Sequence, residues 1–269
     1  MQFPNYERVI YEHNPLNEVL CELCFPSILT ITSKQPVEFH EKVRNQYPSL
    51  QINRPIDLPS PINEETNADI LESLSQMLAS ETLYTFTSED LEWQVSLSKD
   101  LIRLATKNYR KYEEFQERLQ YIVKVFEEIY KPSSYIKIRL KYQDLILPSS
   151  LDVQPNWKLL VKQPLIPELY SQELANSVKG MRKLVLLEFE ESKVSLTHGI
   201  VEINDLDRGI INEEAYFIDT DFFTEERIIG AENVYRYLTK FNQLSGKIFR
   251  WCITDELHQL LKPQSVKES

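Results

Sequence analysis

The stretch KYEEFQERLQYIVKVFEEIYKPSSYIKIRLKYQDLIL, residues 111–147, carries both structural periods of the chain in one run. From Lys111 to Tyr130 the apolar residues Phe115, Leu119, Ile122, Phe126 and Ile129 step by four, three, four and three. That spacing draws one stripe along a helix, with Glu113, Glu117, Lys124 and Glu128 off it. Lys131-Pro132 ends the helix, because proline disfavours a helical residue before it. The period then drops to two. Ile136, Ile138, Leu140 and Tyr142 face one way and Lys137, Arg139 and Lys141 the other, which predicts a strand from Tyr135 to Leu147. An amphipathic helix followed by an amphipathic strand, near the midpoint of 269 residues, predicts a mixed α+β chain that divides close to residue 132.

On the N-terminal side of this stretch the sequence predicts a β-meander: Leu83–Thr87, Trp93–Leu97 and Leu101–Asn108, with turns at Ser88-Glu89-Asp90 and Ser98-Lys99-Asp100. Further upstream, Val19, Cys21, Leu23 and Phe25 alternate within a strand from Leu16 to Phe25. A short helix from Val37 to Tyr47 follows, with Val37, His40, Val43 and Tyr47 along one side. Pro48–Thr66 reads as an irregular connection and Asn67–Glu81 as an amphipathic helix. On the C-terminal side, Trp157–Val161 is predicted as a short strand and Glu168–Val178 as a short helix. A hairpin joins Leu184–Phe189 to Val194–Ile203, and a polar loop, Asn204–Glu214, leads to a strand at Ala215–Phe223. Ala231–Cys252 is the second long helix, striped by Val234, Leu238, Phe241, Leu244, Ile248 and Trp251.

The two flanks share one order. Residues 1–131 and residues 132–263 each run β-α-β-β-β-α, with 264–269 as a frayed tail. Two such units joined edge to edge give one mainly antiparallel, curved sheet with the long helices on one face. The saddle of the TATA-binding-protein kind has this unit order, an analogy of fold that carries no function.

Composition narrows the function classes. The formal net charge is −11 and the pI about 5.0, so general nucleic-acid binding, which needs cations to displace phosphate counterions, is disfavoured. Only 5 glycines occur, and no Walker A, GxGxxG or GxSxG pattern does. Cys21, Cys24 and Cys252 are too few and odd in number for a secreted disulfide framework. The start, MQFPNYERVIYEHNP, has neither a basic lead nor an apolar core, and no stretch approaches the roughly 18–20 apolar residues that span a bilayer. A cytoplasmic protein without membrane contact is the expectation.

Two constellations are candidates for a site. Alternation puts Lys137, Arg139 and Lys141 on one sheet face, where they would focus an acidic partner protein or a small anionic ligand, or touch RNA or DNA locally. The bland alternative is a polar face balanced by acids such as Glu188 or Glu202. Asp219-Thr220-Asp221 puts two carboxylates on one face of a strand, the arrangement that holds Mg²⁺ or Mn²⁺ in metal-dependent transferases, with Asp205 and Asp207 nearby. The bland alternative there is a solvated pair. Cys21-Glu22-Leu23-Cys24 has CxxC spacing, but in a strand the two thiols face opposite sides, which predicts core cysteines. His13, His40, His198 and His258 match no metal-ligand spacing. Tyr121 and Tyr130 on the first long helix, and Tyr235, Tyr237 and Trp251 on the second, are predicted to pack the core, the alternative being that tyrosines off the stripe seed a partner interface.

A further set of residues carries a resemblance. Pro15-Leu16-Asn17-Glu18-Val19, Tyr109 with Phe115, Ile138-Arg139-Leu140-Lys141-Tyr142, Ile218-Asp219-Thr220-Asp221, and Phe249 with Ile253-Thr254-Asp255-Glu256-Leu257 stand in this order along the chain. Together they resemble an uncharacterised, sporadically distributed prokaryotic family of about this length. The chain departs from that family's Arg-Tyr-Ile-Asn at Lys141-Tyr142-Gln143-Asp144. The resemblance implies no activity, and the patchy distribution implies a defence or toxin–antitoxin-like setting. The expected function is therefore a non-catalytic interaction protein without a cofactor, its partner another protein or a second copy of itself. The alternatives are a metal-dependent enzyme using Asp219 and Asp221, and a local nucleic-acid contact through the basic strip.

Overall fold

The computed structural model describes residues 3–4, 6–53, 82–189, 192–205 and 210–266. Its strands, in chain order, are β1 (Val9–Tyr11), β2 (Leu16–Cys24), β3 (Ser49–Asn53), β4 (Leu83–Thr87), β5 (Trp93–Leu97), β6 (Leu101–Thr106), β7 (Lys137–Ile146), β8 (Met181–Phe189), β9 (Ser192–Asp205), β10 (Ile210–Thr224) and β11 (Pro263–Ser265). The helices are α1 (Thr30–Ser33), α2 (Val37–Val43), α3 (Tyr112–Tyr130), α4 (Trp157–Leu160), α5 (Ala231–Cys252) and α6 (Asp255–Leu260). Nine strands form one sheet in the order β3-β4-β5-β6-β2-β7-β10-β9-β8, and every neighbouring pair is antiparallel.

Alternation sorts this sheet into an apolar and a polar face. Val19, Cys21 and Leu23 of β2 pair with Ile138, Leu140 and Tyr142 of β7 and are buried. Both long helices pack on that side. Phe115 of α3 lies 6.0 Å, ring to ring, from Trp93, and Phe126 lies 4.6 Å from Phe25. Phe241 of α5 stacks 5.9 Å from Phe222, and Tyr142 donates its hydroxyl to Asn242 at 2.9 Å. Each fully buried aromatic of this layer contributes about 1.5–3 kcal/mol through the water it sheds. Lys131 ends α3 in the left-handed conformation, φ 48°, with its N–H on the Glu127 carbonyl.

Several sequence expectations are corrected. Ser49–Asn53, placed in an irregular connection, is an edge strand. Leu50 and Ile52 alternate against Ser49, Gln51 and Asn53, and the pattern is too short to stand out between Pro48 and Pro55. Val37 is 59% exposed, and Phe39, not His40, shares the buried side of α2 with Val43. Trp157–Leu160 is a helical turn, not a strand, and bonds onward through a bridge from Val161 to Ile253. The short helix expected from Glu168 is a 3-10 turn at Pro167–Tyr170, set by the proline at its start. The polar loop Asn204–Glu214 is mostly strand: β9 reaches Asp205, and β10 starts at Ile210 with a register shift before Glu213. On α5 the buried face includes Tyr237, Ser245, Phe249 and Cys252, while Leu244 and Trp251 are only partly covered. Past Pro263 the chain is not frayed at once, because Pro263–Ser265 pairs with Tyr11–Val9 as a separate ribbon. The helix expected over 67–81 and the end of the tail, 267–269, lie outside the described residues. Among the described residues no helix is long and apolar enough to cross a membrane.

Candidate functional site

On the face of the sheet opposite the long helices, the side chains at the centre are charged. Register alone puts Glu22 of β2 between Arg103 of β6 and Arg139 of β7. Arg103 donates to Glu22 through Nη2 at 2.6 Å and Nε at 3.0 Å. Arg139 Nη1 stands 3.9 Å from the other Glu22 oxygen, and its remaining nitrogens turn to Asp221 of β10. There Nε donates to Oδ1 at 2.8 Å and Nη2 lies 2.7 Å from Oδ2, a two-pronged pairing that fits a planar guanidinium to a carboxylate. Next along the strand, Lys141 Nζ lies 2.8 Å from Asp219 Oδ2.

All three residues of the basic strip lean the same way. Arg139 is directly opposite Phe223 but pairs with Asp221. Lys141 is opposite Asp221 but pairs with Asp219. Lys137, one step outward, lies over the Phe223 ring at 5.3 Å. A twisted antiparallel pair brings one diagonal closer than the other, and long side chains reach along it. The two constellations singled out from the sequence therefore meet. Each acid of the Asp219–Asp221 pair holds a cation of the strip, and Glu22 and Arg103 extend the contact to a ladder across β6, β2, β7 and β10. Glu188 and Glu202, named as counter-charges from the sequence, have no part in it.

The ladder is half withdrawn from water. Glu22 is 11% exposed at its side chain, Asp219 16% and Asp221 19%. Burial lifts the Asp219 carboxyl above the usual carboxylate range, against the pull of the Lys141 ammonium. Chemically, three cations neutralise three carboxylates, and every one of these oxygen-bearing groups already has a partner. Asp205 ends β9, and Asp207 lies outside the described residues. Among the described residues no group of three or more His, Cys, Asp or Glu converges as a metal-binding cluster.

Groups elsewhere are tuned towards inertness. Cys21 and Cys252 are buried, and Cys24 lies on the polar face with its thiol pushed up to about 11 by burial and by Glu22. His198 is buried on β9 with Nδ1 2.7 Å from the Tyr216 hydroxyl, and burial with Lys183 lowers its pKa to about 4, so it is neutral. His258 shares a 2.8 Å hydrogen bond with the Tyr11 hydroxyl and holds the N-terminal ribbon to α6. On the buried side of β7, Asp144 is 5% exposed, and desolvation together with Asp219 pushes its carboxyl well above the usual range. The sequence pattern shows it in phase with Ile138, Leu140 and Tyr142, and that phase was the signal for a buried acid. A cleft of about 280 Å³ opens at the end of β2 and β7, lined by His13, Asn14, Asn17, Leu147, Ser150 and Leu261 among others.

No family model, no curated protein and no solved structure matches the chain.

Proposed function

We propose that the protein is a binding scaffold that grips a partner protein on the polar face of its sheet and does not carry out catalysis. The observation that carries this reading is the ladder itself. Its acids are committed to guanidinium and ammonium groups, which is how a protein fixes a recognition surface. A divalent ion at Asp219 and Asp221 would have to displace Arg139 and Lys141 together. A polyanion would meet a patch whose positive charges are already matched, so a nucleic-acid contact is the weakest of the three readings. A small anionic ligand would compete with Asp221 for Arg139 and is a lesser form of the same reading.

We further propose that two related halves meet along the β2–β7 seam and curve into a saddle. What supports this is the strand order. From the seam it runs β2-β6-β5-β4-β3 in one direction and β7-β10-β9-β8 in the other, each closing on a long helix, α3 or α5. The first half has one strand more, β3.

Co-purification and native mass spectrometry of the full chain test the reading. Arg139→Glu is expected to release the partner, and Arg139→Glu with Asp221→Arg, which restores the pair in reverse, to recover it in part. A partner retained by the single reversal removes the face as a site. Elemental analysis that finds Mn or Mg lost on Asp219→Asn favours the enzyme reading. Nucleic-acid binding that falls steeply with salt favours the third.

A further inference from the structure

The last strand of the sheet presents a second surface, distinct from the charged ladder. Strand β8 has the sequence Met181-Arg182-Lys183-Leu184-Val185-Leu186-Leu187-Glu188-Phe189 and, among the described strands, pairs with β9 alone. Its middle is apolar and open on both faces, with Leu184 61%, Val185 39% and Leu186 73% exposed. Exposed sheet edges are normally blunted by lysine, proline or a bulge, since the free N–H and C=O groups of an edge are a template for another strand. Here Leu184–Leu187 carries no such residue, and β8 pairs with β9 through all nine of its residues without a register break.

We propose that β8 pairs antiparallel with β8 of a second copy of this chain, about a two-fold axis at Val185. The sequence is self-complementary in that register. Val185 meets its own copy, Leu184 meets Leu186, and Arg182 meets Glu188 at both ends of the pairing. Arg182, Leu184, Leu186 and Glu188 belong to one face, the polar one, because they pair with Gly199, Thr197, Ser195 and Lys193 of β9. On the opposite face Lys183 meets Leu187, and Lys183 is anchored within its own chain, its Nζ 2.6 Å from Glu168 and 2.9 Å from the Leu165 carbonyl. A shift of the axis by one residue sets Arg182 against Leu186, or Glu188 against Leu184, and so separates Arg182 from Glu188, which favours the register centred on Val185. The pairing is isologous, closes on itself, and puts both polar faces on the same side of one continuous sheet. It goes beyond the partner-binding reading and does not depend on it, since no ladder residue takes part.

The test is light scattering and sedimentation of the full chain from micromolar to submillimolar concentration, with circular dichroism to confirm folding. Wild type is expected to dimerise. Arg182→Glu alone and Glu188→Arg alone each set like charges together at both ends and are expected to weaken the dimer about tenfold or more. An equimolar mixture of these two variants sets opposite charges together at both ends, and is expected to form a mixed dimer as tight as wild type. Val185→Cys gives an independent measurement. Directly opposed residues in an antiparallel pair are about 4.5–5.5 Å apart at Cα, within disulfide reach, so an interchain disulfide is expected to form on mild oxidation. A wild-type monomer throughout this range overturns the proposal. So does a dimer indifferent to the single reversals, or one that does not cross-link at position 185. Failure of the partner experiments on Arg139 leaves the dimer intact, so the two proposals fail separately.

Discussion

Removing the Arg139 charge while keeping its stem, Arg139→Met, tests the ladder most directly. Exposed ion pairs contribute about 0–1 kcal/mol, whereas stripping one partner from a buried pair costs about 3–5 kcal/mol. At 29% and 19% exposure Arg139 and Asp221 fall between these limits. The Nε–H shared between both Asp221 oxygens at 2.8 and 2.9 Å, with Nη2 2.7 Å from Oδ2, favours the upper part of that range, and partial solvation of the freed carboxylate trims it. The expected loss for Arg139→Met is about 2 kcal/mol. Asp221→Asn keeps the shape and removes the charge, at about 1–1.5 kcal/mol. The double variant is expected to lose less than the sum, with a coupling of about 1–1.5 kcal/mol. Glu22 gives an internal standard. It stands 3.9 Å from Arg139 and keeps Arg103 at 2.6 Å, so its coupling to Arg139 is expected to be about 0.5 kcal/mol or less. Urea unfolding at low and high salt measures all of these, and the Asp221 coupling should survive salt better than a surface pair would. Additivity of Arg139 and Asp221 to within about 0.3 kcal/mol, or a coupling to Glu22 larger than that to Asp221, would refute the diagonal pairing of β7 with β10.

Three further outcomes follow from other parts of the molecule. Asp144 keeps its proton in the folded chain at a pH where the unfolded carboxyl, near 3.9, has lost it, so the native state binds the extra proton and stability falls as pH rises above about 4, by about 1.4 kcal/mol per unit until the folded carboxyl ionises. Asp144→Asn is therefore expected to raise the thermal midpoint at neutral pH, with the two curves converging near pH 4; parallel pH profiles would contradict the burial argument. At Gly199 an added Cβ would come 1.8 Å from the Met181 carbonyl oxygen, which the β8 backbone cannot accommodate without moving, so Gly199→Ala should cost about 2–3 kcal/mol and speed amide exchange in β8. A thiol reagent at neutral pH should leave Cys21 and Cys252 untouched until denaturant is added and reach Cys24 only slowly; two fast-reacting thiols in the folded protein would overturn the placement of these side chains.

What the sequence disclosed depended on how far each signal reaches along the chain. Phe115 to Phe126 and Ile138 to Tyr142 repeat their period often enough to fix α3 and β7, and the same regularity put Lys137, Arg139 and Lys141 on one face. The α+β class followed from such local runs. Two of the shortest elements did not survive this reading, although β4 and β5, of five residues each, did. Ser49–Asn53 has two apolar residues, and Trp157–Leu160 is a single turn, so a strand and a helix are equally compatible with their patterns. The site was half legible for a different reason. Both charged sets were visible, and each acquired its own hypothesis, because nothing local says that β10 lies against β7. That neighbourhood spans about eighty residues and is fixed by the packing of α5 over both strands, a property of the folded chain. The phase of Glu22, opposite Cys21, puts it on the polar face, but nothing local to the sequence pairs it with Arg103 and Arg139.

The meeting of the two sets changes what either means. A row of three cations, taken alone, attracts anions, and a pair of carboxylates, taken alone, attracts metal. Placed on adjacent strands with a common lean, they satisfy one another, and the face gains shape and hydrogen-bond direction instead of net charge. Such a surface discriminates by geometry. On the proposed reading, a partner would bind by matching its own donors and acceptors to groups at the rim of the ladder, and an unmatched partner would leave those groups desolvated and unpaired. This is why reversing one charge should be far more damaging than its small contribution to the net −11 suggests, and why reversing both members of a pair should be mild. In the proposed dimer the edge at β8 follows the same logic at a simpler level: Arg182 meets Glu188 in the alignment centred on Val185, and the leucines between them would supply the adhesion that the charges orient.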